Sequence, residues 1–541
     1  MNTILLGTPK TILAKLMSWL NMLSFLKYKR GEVVLLLILS VLAVTWRLPY
    51  LEKPLDEDSA ANAYGGRLIL EGEPVYSSYH PGHHLPAIYY INALAFWLFS
   101  DSAAAIRFFL ALWMIPTICL LYYLARVLVD KKTSCLAVIL FLLLSTDYVL
   151  EGHSAEIELF ANLPRIAAVL LLLKLVQWKG PDWQFGLIGL VGAIAILLKA
   201  VYISPLLLAG FVLLSQYWSE RREKGAAGHL LRRIFWIGTG FVMGLLPAVV
   251  YFGWLGLLPR VGLVFTLGQR HVSSEVVSPL FIFLYPLNGL ALANMPLLIL
   301  GLTGAVLLPW DKSIPGLVKN TVLLWFFLSF VEAGFSRNPF LHYYQLVAPP
   351  LSLLAAWAMT HFYQLARTHQ RIKPAAWIIY ASFLLAIGGT YLFINGGYLY
   401  HYLRYKNGQA TYQEFVLNSW PPTGPTFITA QAIADYIQTH SEPDERIYVW
   451  GEDPQLYYLA HRRCAIDFIW PIYLELGLIP GDQQEIQNRL LASTTKFIIM
   501  AQDNPPGWLT DGLARHYSLV KTINNRQIYQ RIDSSAQTLQ N

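Results

Sequence analysis

Long apolar segments recur from Val33 to Phe393, and they constrain the fold more than any other feature of the chain. An α-helix needs about 20 consecutive apolar residues to cross the hydrocarbon core of a bilayer. Only 13% of the residues are charged and the mean hydropathy is +0.44, whereas about 25% of the residues of a soluble domain are charged. The sequence therefore predicts a mostly α-helical, polytopic membrane protein.

The hydropathy pattern predicts eleven membrane spans. Pro286 and Pro296 fall inside the eighth span, where a proline removes a backbone hydrogen bond and kinks the helix. The predicted spans are Val33–Leu48, Ala103–Val129, Ser134–Leu150, Ile157–Val176, Phe185–Leu198, Val201–Trp218, Ile234–Leu257, Leu280–Leu308, Val322–Phe335, Leu346–Leu365 and Ala375–Phe393.

The basic residues predict how these spans are oriented. With eleven spans, every basic loop falls on the same side as the N-terminus, and the strongest such loop holds Arg221, Arg222, Lys224, Arg232 and Arg233. Because positive loops stay in the cytoplasm, we expect a cytoplasmic N-terminus and an extracytoplasmic C-terminal region in the plasma (inner) membrane. The net charge of +7 suits loops beside anionic membrane lipids. It does not indicate nucleic-acid binding, because the basic residues form no separate domain.

The chain divides into three predicted parts. Residues 1–30 carry basic residues and a helical pattern over Ile4–Leu26, which predicts a cytoplasmic interfacial helix. Residues 31–394 form the transmembrane domain, whose first external loop covers residues 49–102. Residues 395–541 contain no apolar run long enough to cross a membrane, and their alternating helix and strand patterns predict a small soluble α/β domain outside the cell. The three cysteines predict neither a disulfide framework nor a zinc site.

An acidic stretch follows the first span directly. Asp56, Glu57 and Asp58 begin the first external loop, which also contains Tyr79-His80-Pro81-Gly82-His83-His84 and two predicted interfacial helices, Ala60–Leu70 and Ile88–Phe99. A solvated loop start is the plain alternative for an acidic triplet. The combination of carboxylates and histidines instead favours a reactive loop, since carboxylates can act as general bases or bind a divalent cation.

A second acidic group lies between the third and fourth spans. Glu151, Glu156 and Glu158 stand at the external end of the fourth span, and Arg165 lies deeper, seven residues after Glu158 on roughly the same helix face. Charged residues at a helix mouth are costly in lipid and should face protein or water. An interfacial helix cap is the alternative interpretation.

The external loop before the tenth span holds candidate anion ligands. It contains Arg337, His342 and Tyr344, and arginine is well suited to bind a phosphate. An aromatic belt with an interfacial arginine is the alternative. Arg270, in the loop predicted after the seventh span, is a weaker candidate for the same role.

Together these positions resemble the GT-C superfamily of membrane glycosyltransferases. They are most similar to the bacterial protein-mannosyltransferase-like and aminoarabinose-transferase-like enzymes of the broad dolichyl-phosphate-mannose-protein mannosyltransferase family. The similarity rests on Asp56-Glu57 after the first span, the helix over Ala60–Gly72, Glu156 after the third span, the Arg337–Pro350 stretch, and Asp435–Arg463 in the C-terminal region. Many relatives place a lysine before a proline in the first external loop, whereas the comparable stretch here carries His83 and His84.

The resemblance implies a GT-C helix bundle that inverts a sugar during transfer from a polyprenyl-phosphate donor to a lipid, glycan or protein hydroxyl. It implies Asp56 as the general base, with Glu57 and Glu156 orienting the acceptor. Asp56 and Glu156 are also the predicted ligands of a divalent cation, Mg²⁺ or Mn²⁺. The predicted donor-phosphate ligands are Arg337, His83, His84 and Arg270, and the predicted acceptor or substrate ligands are Asp58, Glu158, His342 and Tyr344. Grooves between the sixth and eighth spans would hold the prenyl chain.

Two other classes of protein share part of this pattern. A transporter or flippase would also have many spans, but such proteins usually consist of two related halves with broken helices near the midplane. This chain shows no internal repeat, and its acidic residues gather at one membrane face. A non-catalytic scaffold for polysaccharide assembly is the third interpretation, against which the intact Asp56-Glu57 and Glu156 argue.

Overall fold

The protein was examined as a computed structural model, which describes residues 30–178, 180–273, 278–335, 339–368, 373–420, 423–479, 481–492 and 494–532. The predicted N-terminal helix Ile4–Leu26 and the predicted phosphate ligand Arg337 lie outside these residues. Within them, seven helical segments are long and apolar enough to cross a membrane: Arg30–Glu52, Ala103–Leu128, Ile157–Trp178, Ala226–Trp254, Phe281–Trp310, Gly316–Gly334 and Trp377–Lys406. The exact number of spans stays a prediction.

Helices form at each of the eleven predicted spans, and most bounds agree within a few residues; the seventh begins 8 residues before the predicted Ile234 and the eleventh ends 13 residues after the predicted Phe393. They are α1 (Arg30–Thr45), α4 (Ala103–Leu128), α5 (Lys131–Ser145), α6 (Ile157–Trp178), α7 (Gly186–Leu198), α8 (Ser204–Glu220), α9 (Ala226–Trp254), α11 (Phe281–Leu307), α12 (Gly316–Gly334), α13 (Ala348–Thr368) and α14 (Lys373–Lys406). The expected irregularity of the eighth span is present at Asn294, whose backbone leaves the helical region between Pro286 and Pro296. Asn294 uses its side chain to accept a hydrogen bond from the Leu297 amide.

Small residues bring neighbouring helices into backbone contact. A Cβ placed on Gly240 of α9 would lie 1.8 Å from the carbonyl oxygen of Gly186, and one on Gly304 of α11 would lie 2.3 Å from that of Leu354 in α13. Larger side chains at these glycines would therefore push the helices apart. Close approach through small residues is the usual way in which helices associate in lipid.

Three further helices lie in the segments predicted as external loops, one of them where the sequence pattern predicted no helix. Helices α2 (Glu57–Leu70) and α3 (Ala87–Leu98) match the predicted interfacial helices, and Gly66 of α2 packs directly on Asn92 of α3. Helix α10 (Leu258–Ser273) replaces the predicted loop after the seventh span. Val264 and Leu267 of α10 are each 1% exposed, and their packing against other parts of the protein stabilises the helix. In the sequence, Gly262 and Gly268 had made this segment look irregular.

The C-terminal region contains a four-stranded sheet, β1 (Arg446–Trp450), β2 (Thr495–Met500), β3 (Tyr517–Ile523) and β4 (Arg526–Arg531), in the order β1-β2-β4-β3. Strands β1 and β2 are parallel, whereas β4 pairs antiparallel with both β2 and β3. The accompanying helices are α15 (Tyr412–Ser419), α16 (Gly424–Thr439), α17 (Gln455–Ala460), α18 (Ile472–Glu475), α19 (Gln483–Leu490) and α20 (Gly507–His516).

The sheet domain is joined to the first external loop by polar contacts. Arg67 of α2 donates to the Tyr458 carbonyl at 2.6 Å, and the Tyr458 hydroxyl donates to Asp101 of the same loop at 3.0 Å. The Cys464 amide donates to the Tyr64 hydroxyl, and the His80 amide donates to the Asp467 carbonyl at 2.7 Å. The sheet domain, called the outer domain after its predicted side of the membrane, is therefore held against the loop that carries Asp56, Glu57 and Asp58.

Candidate active site

Asp56 is the N-cap of helix α2, and three groups donate to its carboxylate. The Ser59 amide donates to one oxygen at 2.9 Å, while the Ser154 hydroxyl at 2.7 Å and the Lys53 ammonium at 3.1 Å contact the other. Burial alone would raise the pKa of Asp56, but the Lys53 charge and the serine hydrogen bonds outweigh burial and lower it well below its usual value. Asp56 is therefore held as an ionised carboxylate.

Asp58, Glu156 and His342 converge on one point beside Asp56. Their potential ligand atoms all lie within 4.8 Å of one another. Ser59 links the two parts of this arrangement, because its hydroxyl donates to Glu156 at 3.0 Å while its amide binds Asp56. The structure thus brings together residues from the first external loop, the loop before α6 and the turn before α13.

The three groups of this Asp58–Glu156–His342 cluster shift one another's protonation. Burial, followed by repulsion from Asp56, raises the pKa of Glu156 well above its usual value. Burial also raises the pKa of Asp58, although the positive charge of His342 opposes that shift. Burial opposes the charged form of His342 itself, but the Glu151 carboxylate and the nearby glutamates raise its pKa well above the usual value.

Glu151 fixes the imidazole of His342 in this position. Its carboxylate lies 2.9 Å from His342 Nδ1, so Nε2 is the ring nitrogen that this contact leaves uncommitted. Glu151 has a φ of +52°, a left-handed conformation that costs a non-glycine residue roughly 1–2 kcal/mol. Such local strain is often found at functional sites.

Glu158 belongs to a separate ion pair at the outer end of α6. Lys199 Nζ lies 3.4 Å from its carboxylate and Tyr202 donates to the same oxygen at 2.5 Å. The Lys199 ammonium also lies 4.0 Å from the centre of the Tyr343 ring. Arg165, whose position on α6 had suggested Glu158 as its partner, instead binds Glu332 at 2.5 Å. The correct pairing could not be seen in the sequence, because Glu332 lies on α12.

The remaining residues predicted as catalytic or binding groups lie outside the Asp58–Glu156–His342 cluster. Glu57 is exposed, and loss of surrounding water and repulsion from Asp58 raise its pKa to about 8. His83 contacts the Tyr473 hydroxyl at 3.0 Å and His84 contacts that of Tyr89 at 3.3 Å. Tyr344 is 1% exposed, and its ring packs against Gly289 of α11. Arg270 lies within α10.

Sequence reasoning missed several residues that build the site. Lys53 and Ser154 bind Asp56, Ser59 joins Asp56 to Glu156, and Lys199 binds Glu158. The signal for Lys53 was its position three residues before Asp56. Lys199 could be noticed as a lone cation at the external end of an apolar run, where a charge requires a partner.

The sequence profile of the dolichyl-phosphate-mannose-protein mannosyltransferase family matches residues 80–252, and that of the C-terminal domain of competence-induced protein Ccs4 matches residues 429–531. No curated protein matches the sequence.

Two solved membrane proteins share the fold. ArnT from Cupriavidus metallidurans, bound to undecaprenyl phosphate, is 14% identical with a TM-score of 0.61, over 94% of this chain and 99% of ArnT. The archaeal oligosaccharyltransferase AglB from Archaeoglobus fulgidus, in complex with an inhibitory peptide and a dolichol-phosphate, is 12% identical with a TM-score of 0.53, over 87% of this chain and 69% of AglB. The chain is therefore a multi-pass membrane protein with the GT-C fold, and over residues 80–252 its sequence resembles the dolichyl-phosphate-mannose-protein mannosyltransferase family.

Proposed function

We propose that the protein is an inverting glycosyltransferase, which moves a sugar from a polyprenyl-phosphate donor to an acceptor hydroxyl at the extracytoplasmic face of the plasma membrane. The observation that carries this proposal is the convergence of Asp58, Glu156 and His342 within 4.8 Å. The shared fold of a protein bound to undecaprenyl phosphate supports a donor of this kind. Inversion follows from a single displacement, in which the acceptor oxygen attacks the anomeric carbon as the lipid phosphate leaves.

Asp58 is the residue that we propose as general base. A base works best when its pKa lies near the working pH, and burial raises the pKa of Asp58 whereas Asp56 is held ionised by Lys53, Ser59 and Ser154. Asp58 would take the proton from the acceptor hydroxyl as the new bond to the sugar forms. In this assignment Asp56 positions helix α2, while the sequence-based alternative gives the role of base to Asp56.

Lys199 is the described cation that we propose beside the donor phosphate. It is 9% exposed, and its charge acts on Asp58 as well as on Glu158. A positive charge beside the bond that breaks would stabilise the phosphate as its negative charge develops. Arg337 remains a predicted ligand of the donor phosphate. His83 and His84, which precede helix α3 in sequence, are the other predicted ligands.

A divalent cation also fits the Asp58–Glu156–His342 cluster, as an alternative to the role of Asp58 as base, because a carboxylate that binds the ion cannot take the acceptor proton at the same time. Two carboxylates and an imidazole supply hard oxygen and borderline nitrogen ligands, which together suit Mn²⁺ or Zn²⁺ better than Mg²⁺. Such an ion, when bound, would act as a Lewis acid towards an oxygen of the substrates. Glu151 would orient the His342 ring from behind, as carboxylates commonly do for metal-binding histidines.

An apolar recess on α9 is our candidate for the prenyl chain. It has a volume of about 500 Å³ and is lined by Met243, Leu246, Pro247, Val250, Tyr251 and Trp254. Trp254 is 83% exposed, so the recess opens towards the lipid. This helix is the seventh predicted span, within the region where the grooves were expected.

The test is transfer by the purified protein in lipid nanodiscs. The protein would be given polyprenyl phosphates that carry different sugars, with and without chelator, and release of polyprenyl phosphate would be measured. We expect release with at least one donor, and a decrease of about 10²–10⁴-fold in Asp58→Asn and Glu156→Gln. Glu485→Gln, on outer helix α19, serves as the control and should match the wild type.

Two results would overturn this proposal. One is transbilayer movement of the lipid-linked sugar without any cleavage, which would indicate a flippase. The other is full transfer by Asp58→Asn and Glu156→Gln proteins that are folded by size-exclusion chromatography and far-ultraviolet circular dichroism.

A further inference from the structure

The outer domain contains a cavity that the proposed reaction does not use. Its volume is about 280 Å³, and it is lined by Trp450, Leu474, Glu475, Gly477, Gln483, Gln487, Pro506 and Trp508. Trp450 ends β1, while Pro506 and Trp508 follow β2, so the cavity lies at the carboxyl ends of two parallel strands. Open α/β sheets usually bind ligands at that edge.

The lining combines an aromatic face with uncommitted polar groups. Trp508 is half-buried and packs edge-on against Trp450, with 6.0 Å between the ring centres and 81° between the planes. The indole N–H of Trp450 is buried without a hydrogen-bond partner in the part of the chain that the structure describes. Buried polar groups are normally satisfied, so an unpaired donor on a residue that lines the cavity points to a ligand.

Three polar side chains also line the cavity, and one of them, Gln483, already donates to the Ile479 carbonyl. Among the described residues, neither the Gln487 amide nor the Glu475 carboxylate has a side-chain hydrogen bond or ion pair in the structure. An indole face beside an amide and a carboxylate is the arrangement that recognises a sugar ring. The ring stacks its C–H face on the indole, while neighbouring hydroxyls donate to and accept from the polar groups.

Residues beside the cavity lining contact the candidate active site. Tyr473, next to Leu474 in the lining, hydrogen-bonds His83 at 3.0 Å. Glu452 and Asp453, which follow Trp450 closely, lie near enough to Glu57 for their charges to repel its carboxylate. The cavity therefore lies on the side of the outer domain that faces the candidate active site.

We propose that this cavity binds one sugar ring of a glycan acceptor, so that the acceptor is a saccharide and not a protein side chain. The role as an acceptor subsite rests on the proposed function, whereas the binding of a sugar does not. The Trp508 face would carry the stacking contact, and Gln487 and Glu475 would select the pattern of hydroxyl groups.

Binding can be measured separately from transfer. Saturation-transfer difference NMR on the full-length protein in nanodiscs, without donor, would use the methyl glycosides of glucose, galactose, mannose and N-acetylglucosamine as probes. We expect saturation of at least one glycoside, its loss in Trp508→Ala and its retention in Trp508→Phe. Leu519→Ala, at a half-exposed position on β3, is the matched control and should behave as the wild type.

The transfer assay then assigns the cavity its role. With a glycan acceptor, Trp508→Ala and Gln487→Ala should each raise the acceptor KM about tenfold, which corresponds to about 1.4 kcal/mol, with kcat changed less than the KM. Failure of every glycoside to bind the wild type, or equal binding by Trp508→Ala, would overturn the sugar site even if transfer occurs. Glycoside binding by a protein that never releases polyprenyl phosphate would instead overturn the proposed function and leave the sugar site in place.

Discussion

At the scale of single residues, the two neighbouring aspartates of the first loop have different environments. Helix α2 begins between them, at Glu57, and successive residues of a helix point about 100° apart. Asp56 turns back to Lys53 and Ser154, while Asp58 turns towards Glu156 and His342. The sequence identifies all of these residue types but not this division, because the division depends on the residue at which the helix starts.

Substitution of Asp56 separates its positioning role from a role as general base. Asparagine caps a helix as well as aspartate does, whereas alanine loses the cap at a cost of about 1 kcal/mol. We therefore expect the Asp56→Asn protein to be more stable than the Asp56→Ala protein by about 1 kcal/mol. We also expect Asp56→Asn to lose less activity than Asp58→Asn. Asp58→Asn is the comparison at the neighbouring position, and transfer rates with melting temperatures are the measurements. A loss of about 10²–10⁴-fold in Asp56→Asn, with Asp58→Asn near the wild type, would instead make Asp56 the base.

At the scale of secondary-structure elements, buried side chains fix the loops that carry the candidate site. Arg107 of α4 donates to the carbonyls of Lys53 and Pro54, and Arg47 donates to those of Ser145 and Gly152. Gln345 donates to the carbonyls of Leu144 and Leu150. These donors satisfy carbonyls that a helix end or loop would otherwise leave unpaired within the membrane domain.

At this scale, the sequence pattern predicted the long apolar helices but not helix α10. Long apolar runs gave helices at every predicted position, because burial in lipid allows the backbone no other satisfied conformation, but α9 and α14 continue well beyond the apolar runs that predicted them. Helix α10 was missed, since its apolar positions are interrupted by Arg260 and two glycines. Its stability comes from contacts outside the helix, for example the hydrogen bonds of Arg260 to the Ser77 carbonyl and to Asp467.

The buried ion pair of Arg165 and Glu332 should stabilise the segment that carries His342. Arg165 is fully buried, and it also donates to the Leu346 carbonyl at 3.0 Å. Removal of one partner leaves a buried charge unpaired, so Arg165→Met should lower the free energy of unfolding by about 3–5 kcal/mol. The double variant Arg165→Met/Glu332→Leu should recover part of that loss, because no unpaired charge remains. Melting temperatures in nanodiscs would measure both effects.

The surface pair of Lys406 and Glu52 is the control for this substitution. Both side chains are partly exposed, so Lys406→Met should change the stability by less than about 1 kcal/mol. A double variant no more stable than Arg165→Met would show that the hydrogen bonds to Leu346 and Ser329 matter more than the charge pair.

At the scale of the whole molecule, the outer domain is anchored on the membrane domain through the first external loop and α10. Arg463 binds Glu71 and Glu73, and Arg260 binds Asp467. The fold class and the position of this domain along the chain could be predicted from composition and periodicity. Its placement over the loop could not, since each of these ion pairs joins residues far apart in sequence.

His80 makes that anchoring sensitive to pH. Its Nε2 lies 2.9 Å from the Arg260 carbonyl and must donate, while Nδ1 accepts from the Gly82 amide at 3.1 Å and its ring stacks on Phe468. A second proton on the His80 ring would sit on Nδ1 and face the N–H of Gly82, so that two donors would meet. Burial also disfavours the charged ring and lowers the pKa of His80 to about 4. Because the unfolded state takes up this proton near pH 6.5, the folded state loses stability as the pH falls from about 6.5 to 4, by about 3 kcal/mol in total.

Amide hydrogen exchange of β1 and α18 should therefore be faster at pH 5 than at pH 7.5, after correction for the intrinsic exchange rate. His80→Gln, which can still donate and accept but cannot become charged, should reduce that difference, whereas the exposed His516→Gln should not. An unchanged pH dependence in His80→Gln would place the sensitive group elsewhere.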